Sequence, residues 1–503
     1  MLKKSSEVGA GRVALMNAEQ LVRGPAWTPP GLDLAAGRFP LAVEAHVIAM
    51  TGRLVPGATT VTTNARYYAV HALAALEAEA RDLDDGEALV LVRRLEVVFA
   101  AAALLADDAV ISSPHGAGRI APMLKTGEID IDVLATPGAK GHSDTNGGFS
   151  GPYRGSEIAL AILSPDSRLR PGERCNEQAI RSGLRGLVDA SSASTLTVSA
   201  LRELAHLSLN AAGTPDGDWL LDLFAKPDPV EGLDKSDSAR RATVRLLLAA
   251  IDHHEGLSFS DAFHSFVAFS DGALQDPRTR EFAEAQAWRG VILRRYSVGA
   301  WRRLWQWIVS QIEGREVAIR DLASVCAESF QPETMAAFRS RLPPTAENGL
   351  PLRAEDEIRR SIAPVPLAEV AVLLSGGQRA AELSGQAADA FLGRHTVLGP
   401  GWVAGQTAIW NDRPMRDFIV ELVGQLVKRS QRIAYKKAKL KDGRLWVPTR
   451  VYERDGMLVR TSAEGGGDVG LRIDQLGGIL ASLGAVSREG DGWSLSPKGR
   501  ELL

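Results

Sequence analysis

The longest apolar run in this chain, VVFAAAALLA from Val97 to Ala106, is bounded by Glu96 and Asp107. It is half the ~20 residues that a membrane-spanning helix needs. It reads as a buried helix, so the chain must stabilise itself by packing amphipathic elements against one another. Its 503 residues exceed what one hydrophobic core organises, which predicts about three or four domains. Hydrophobic residues at 45% and charged residues at 24% leave no large part that composition alone would keep unfolded.

Cys175 and Cys326 lie too far apart to suggest a disulfide framework, and two cysteines cannot make a four-cysteine zinc site. The start carries Lys3 and Lys4 but no apolar run of signal-peptide length behind them. Both features point to a cytoplasmic protein without a membrane partner. The net charge of -3 does not by itself suggest nucleic-acid binding, so that case rests on local clusters.

The spacing predicts a helix near Leu41 to Met50 and a turn at Val55-Pro56-Gly57. Thr62 or Thr63 can cap an alanine-rich helix to about Ala80. A second buried helix follows from Glu87 to Ala106, interrupted by Arg93, Arg94 and Glu96. Ser112 to Ser156 is irregular and glycine-rich, with EIDIDVL as a short β-like piece. Glu177 to Gly314 reads as a run of helices, in which Trp301, Trp305 and Ile308 form an apolar stripe assigned to the core. Glu347 to Arg360 reads as a linker.

A helix from about Met415 to Leu440 carries Ile419, Leu422, Leu426 and Ile433 on one side. Lys428, Arg432, Lys436 and Lys439 lie on the other. Adding Arg429, Lys437, Lys441 and Arg444 gives eight basic residues against Asp442. A phosphate backbone would feel that field, although a solvated face has the same composition. Leu476, Ile479, Leu480 and Leu483 then mark a helix ended by Gly484. Ala485–Arg488 and Trp493–Leu495 flank the turn Glu489–Gly492, and Ser496 can cap a last helix with Pro497 in its first turn. This ending resembles that of many bacterial winged-helix domains, which implies phosphate contacts for Arg488 and Lys498 or, equally, protein docking. The expected fold is mainly α, multi-domain, with a small irregular β-containing region and a C-terminal winged-helix-like module. The expected segments are 1-165, 166-345, 346-400 and 401-503.

Three strings invite an enzyme reading. Leu374-Ser375-Gly376-Gly377-Gln378 spells the LSGGQ signature, but the chain has no GxxxxGK[ST] phosphate loop to accompany it. Asp252-His253-His254 with Glu255 resembles the metal-binding triplet of DHH phosphoesterases, yet it ends a helical pattern instead of following a strand. Glu128, Asp130 and Asp132 would share a face if EIDID were a strand, with Lys140 nearby. None of these is a complete catalytic constellation. No cofactor or metal is expected.

Leu54 to Tyr68, LVPGATTVTTNARYY, resembles an N-terminal motif of roughly the form LPG-x-[ST]-x-x-T-x-R-x-RYY in large uncharacterised bacterial proteins. RRLEVVFAAAAL, GGFSGPYRGS, RRATVRLLL and the terminal module extend the resemblance over most of the chain. Asn64 stands where the family more often has arginine. Those proteins are found near mobile elements and anti-phage systems, so the resemblance implies an antiviral-defence role inside a multi-protein complex. It carries over no catalytic residue. Within the motif, Pro56 and Gly57 make the turn, Arg66 can reach a carboxylate or phosphate, and Tyr67 or Tyr68 packs inward. The expectation is a non-catalytic, DNA-associating or scaffold subunit with further protein partners. The alternatives are a metal-dependent nuclease or phosphoesterase and a winged-helix transcriptional regulator.

Overall fold

The computed structural model describes residues 31–106, 113–166, 168–226, 235–393 and 397–503. The first twenty residues, where a targeting segment was sought, lie outside them. The fold is mainly helical, with small sheets of two or three short strands, and no described helix is long and apolar enough to cross a membrane. Compactness divides the chain into two units, one of residues 31–48 and 290–469 and the other of residues 49–289 and 470–503. These cut across the four consecutive segments suggested by the sequence, because each unit recruits stretches far apart along the chain.

The second unit is built on two buried helices, Arg66–Ala80 and Asp85–Ala106, joined by residues 81–84 and packed on each other. Alanine at many positions lowers the entropic cost of helix formation and lets neighbours approach closely. The expected threonine cap is absent. Thr62 Oγ1 instead accepts from Thr59 N at 2.7 Å, closing a turn, and the helix starts at Arg66 without a side-chain cap on Ala65. Only Glu128–Asp130 of EIDID is a strand, paired antiparallel with Thr195–Thr197. Asp130 accepts from Val133 N at 2.9 Å and so starts the helix Ile131–Ala135. That cap turns Asp132 out of the strand, and the three carboxylates do not line one face.

Towards its end this unit holds the helices Lys235–His253, Phe259–Val267 and Ile473–Ser482. The hairpin Val486–Glu489 with Gly492–Leu495 and the helix Pro497–Glu501 follow. Ser496 Oγ accepts from Gly499 N at 3.0 Å, the expected cap, and Gly484 adopts φ +80° at the helix end. Trp493 also bonds with Gly256 N and Leu257 O, adding an edge to the hairpin, and stacks on Phe259 with ring centroids 4.5 Å apart. The Asp252-His253-His254 string ends the Lys235–His253 helix. Asp252 accepts from Arg278 at 2.8 Å and His253 Nε2 meets Asp276 at 3.0 Å.

In the first unit Trp301, Trp305 and Ile308 are core residues, each at most 1% exposed. The LSGGQ string is neither a loop nor a helix start. It lies inside the helix Val365–Arg379, where Gly376 faces Ser297 and Gly377 faces Val403 and the Ala404 backbone, so its small residues serve close packing. The expected linker is also structured: the hairpin Ala346–Glu347 with Leu350–Pro351 leads into the helix Ala354–Ser361. Buried Arg379 holds that segment through Glu355 at 2.7 Å and Thr345 O at 2.6 Å. The basic helix is Met415–Lys436 and packs on Ile319–Ala327. Lys439 lies beyond it on the strand Lys439–Lys441, which pairs with Arg444–Pro448, itself parallel to Gly31–Ala35.

Candidate functional site

The two central helices, the glycine-rich loop and the helix after it converge on one buried polar cluster in the second unit. The Arg66–Ala80 helix supplies Tyr67, Tyr68 and His71, and Asp85–Ala106 supplies Glu96. The glycine-rich loop supplies His142 and Phe149, and the helix Ser150–Ala159 supplies Tyr153 and Glu157. His71 sits between two carboxylates, with Nδ1 2.6 Å from Glu157 Oε1 and Nε2 2.9 Å from Glu96 Oε1. Glu96 Oε2 meets His142 Nε2 at 2.8 Å, and its carboxylate also accepts from Phe149 N at 2.9 and 3.1 Å. Tyr67 Oη accepts from His115 N at 2.9 Å, while Tyr68 donates to Gly57 O at 2.7 Å. Tyr68 also packs edge-on against Tyr153 and Phe224. Arg240, from the RRATVRLLL segment, lies 6.0 Å over the Phe224 ring.

Burial opposes charge throughout this cluster, so paired partners decide the ionisation. For His71, burial favours the neutral ring, but the flanking Glu157 and Glu96 carboxylates outweigh it and push the imidazole up to about 10. For Glu96, burial favours the acid, yet hydrogen bonds from His142 and His71 bring it down to about 2. Glu157 is held above the ordinary carboxylate range by burial, against the pull of His71. Its Oε2 has no partner. His115, with Nε2 3.0 Å from Tyr153 Oη, is pushed down to about 4, first by burial.

Around this core the chain is fastened by buried arginines. Arg66 Nε donates to Asp216 Oδ2 at 2.7 Å, and its other nitrogens reach the carbonyls of Gly183, His206 and Ser208. Arg93 donates to four carbonyls of the glycine-rich segment, those of Ala135, Thr136, Ser143 and Thr145. So much loop backbone buried without a sheet needs such donors to satisfy its carbonyls. These contacts tie the loop to the core through Gly141, His142, Ser143, Gly148 and Tyr153, which are buried, while its other residues are half-buried or exposed apart from Ser156.

His71 and Glu157 are 0% exposed, Glu96 1% and His142 2%. What the arrangement does is hold charge and protons internally and pin the loop to the two central helices. Among the described residues no group of three or more histidine, cysteine, aspartate or glutamate side chains is placed to hold a metal ion. Gly148, at φ +59°, fits closely against this cluster, and an added Cβ would stand 2.0 Å from Glu96 Oε2. Gly148→Ala is expected to destabilise the fold by roughly 2–3 kcal/mol, through overpacking and left-handed strain combined. A urea-unfolding midpoint equal to wild type would refute that fit.

The positions singled out for nucleic acid divide between the two units. Lys428, Arg432, Lys436 and Lys439 are exposed in the first unit. Arg429 and Lys437 beside them are partly buried, Arg429 donating to Leu41 O at 2.7 Å and Lys437 to Arg38 O at 2.6 Å. Arg488 and Lys498 belong to the second unit, where Lys498 is ion-paired with Asp218 and Arg488 Nε contacts Gly490 O at 3.4 Å. Pro56 and Gly57 form the expected turn, with Gly57 at φ +83°. Arg66 finds a carboxylate, and both tyrosines pack inward. His71, His142 and Glu157 were not singled out from the sequence. The signal was present for His71 and Glu96, ionisable residues in otherwise apolar stretches of helix. Comparison of the chain with protein-family models, curated proteins and solved structures finds no match.

Proposed function

We propose that this chain is a DNA-associating, scaffold-type subunit of a bacterial antiviral-defence or mobile-element system, and that the first unit makes the DNA contact. The observation that carries this is a strip of unpaired cations. Lys428, Arg432 and Lys436 follow one another at helical spacing, and Lys439 and Lys441 continue on the adjoining strand at i, i+2. All five are exposed, and among the described residues none meets a carboxylate. Tyr435 and Leu440, 53% and 70% exposed, interrupt the strip. Unpaired cations in a row suit a phosphate backbone, whose bound counterions they displace.

The terminal module supports a different task. Helix Lys235–His253, the Gly256–Leu257 edge and helix Phe259–Val267 precede a long insertion, and helix Ile473–Ser482 with the hairpin follows it. That order is the one a winged helix would have if interrupted by the insertion. The helix that would read a groove, Ile473–Ser482, is largely buried, with Gly477 against Phe259 and Ser482 O accepting from Ala211 N. This favours a docking or structural module over a base-reading regulator. The nuclease alternative has little to draw on: Asp130 caps a helix, Asp132 pairs with Arg94, and Asp252 pairs with Arg278.

Duplex binding measured across a salt series tests the reading. Lys428→Ala, Arg432→Ala, Lys436→Ala and Lys439→Ala combined are expected to weaken binding at least about tenfold and to flatten the salt slope. Arg488→Ala with Lys498→Ala is expected to leave both nearly unchanged. Wild-type affinity in the fourfold variant would remove the strip from the account.

A further inference from the structure

The first unit contains a cavity of about 320 Å³ lined by Arg38, Phe39, Glu44, Arg302, Trp305 and Glu464, among others. That volume is at the small end of ligand sites. Its polar atoms do not satisfy one another. Glu44 is 2% exposed, and its Oε2 has no hydrogen-bond partner. Trp305 is 1% exposed, and its Nε1–H has no acceptor. The Glu464 side chain is 9% exposed, with Oε2 3.3 Å from Arg450 Nε but not hydrogen-bonded to it, since that Nε donates to Gly37 O. Arg302 approaches Glu44 Oε1 through Nε, at 3.5 Å, with its side chain 25% exposed. Its charge also acts on Glu464.

Buried polar atoms left in this state are unfavourable, more so when charged, unless something meets them. The Glu44 and Glu464 Oε2 atoms, neither of them hydrogen-bonded, call for a donor with several N–H bonds. The indole N–H and the Arg302 fork call for an anionic acceptor. Burial also holds Glu44 and Glu464 above the ordinary carboxylate range despite the nearby arginines, as fits acids whose countercharge is incomplete. Phe39, 44% exposed, adds an aromatic surface to the lining. A single molecule with an ammonium and a carboxylate a few ångströms apart answers all four demands.

We infer that this cavity binds a small zwitterion of the free α-amino-acid type, its ammonium held by Glu44 and Glu464 and its carboxylate by Arg302 and the Trp305 indole. The inference does not depend on the proposal that the exposed cations meet DNA. Titration calorimetry of the full chain against a panel of free α-amino acids, with methylammonium and acetate as single-ended probes, tests it. At least one amino acid should bind saturably, more tightly than either single-ended probe. Glu44→Gln and Trp305→Phe, which disable opposite ends of the site, should each weaken that binding at least tenfold. Failure of every amino acid to bind would overturn the proposal, as would methylammonium or acetate binding equally well. Binding indifferent to both substitutions would place the ligand elsewhere and overturn it too. Trp305→Phe removes only the indole N–H donor and a modest volume, so it provides a second reading if Glu44→Gln fails to fold.

Discussion

Arg66→Ala is expected to cost the protein about 3–5 kcal/mol of stability, the range for removing one partner of a buried ion pair. Arg66 and Asp216 are both 0% exposed and meet twice, at 2.7 and 3.1 Å. Alanine would leave the Asp216 carboxylate buried without its cation and strip donors from three carbonyls that no solvent reaches readily. Since whole domains are stable by only about 5–15 kcal/mol, a loss of that size should be visible as a large fall in the urea midpoint and in soluble yield. Arg66→Lys is a sharper comparison. It keeps the charge but cannot reproduce a planar fork bonded on several sides, so it should recover less than half of the loss. A loss below about 1 kcal/mol for Arg66→Ala would mean that the pair does not hold the fold. It would also leave the motif residue open to a role outside it.

Local signals in the sequence were read well wherever the local energy is large. Gly484, the Glu489–Gly492 turn and the Ser496-Pro497 start fix the final hairpin and helix through backbone chemistry that acts within a few residues. Alanine-rich stretches became helices for the same reason. Signals that require a partner far along the chain were not legible. Thr62 has the chemistry of a helix cap and uses it on Thr59, because the residues after it fold inward around Tyr153 and Asn64. EIDID alternates like a strand, yet Asp130 captures Val133 N and starts a helix.

The division into units was hidden for a related reason. Two of its three boundaries, 48/49 and 289/290, fall inside the helices Ala45–Leu54 and Ala283–Ser310, where no glycine-rich linker or charge run marks them, while the third, 469/470, lies in the glycine-rich stretch Gly465–Gly470. The charged segment at 347–360 does look like a linker, and Arg379 turns it into packed structure through Glu355. The basic strip was legible as composition, but which cations stay free was not. Arg429, Lys437 and Lys498 are committed to carbonyls or a carboxylate by residues distant in sequence. That distinction narrows the DNA proposal from the basic helix and terminal wing together to the exposed cations of the Met415–Lys436 helix and the strand after it.

His71→Gln is expected to change how stability depends on pH, and the direction follows from which form of the ring the fold prefers. His71 rises from an ordinary 6.5 to about 10 in the folded protein, so the fold binds a proton that the unfolded chain releases. Its contribution is fully present below pH 6.5 and is lost as pH climbs to about 10. Glu96, lowered from 4.5 to about 2, works on the other side: its contribution is complete above pH 4.5 and is lost as pH falls to about 2. His115, lowered from 6.5 to about 4, adds to the acid-side loss between those two values. Glu157, raised by burial, adds to the alkaline-side loss from pH 4.5 upward. These four groups shape the wild-type profile together, which is why the variant must be compared with wild type at each pH. The stability difference between wild type and His71→Gln should be greatest near and below pH 6.5. From there to pH 10 it should shrink by roughly 1.4 kcal/mol per pH unit, the slope for one proton. A glutamine side chain can still hydrogen-bond to one of the two carboxylates, so a constant difference across that range would assign His71 a neutral ring. The Glu157–His71–Glu96 chain would then be held by hydrogen bonds alone, with Glu96 kept ionised by His142 and the Phe149 amide.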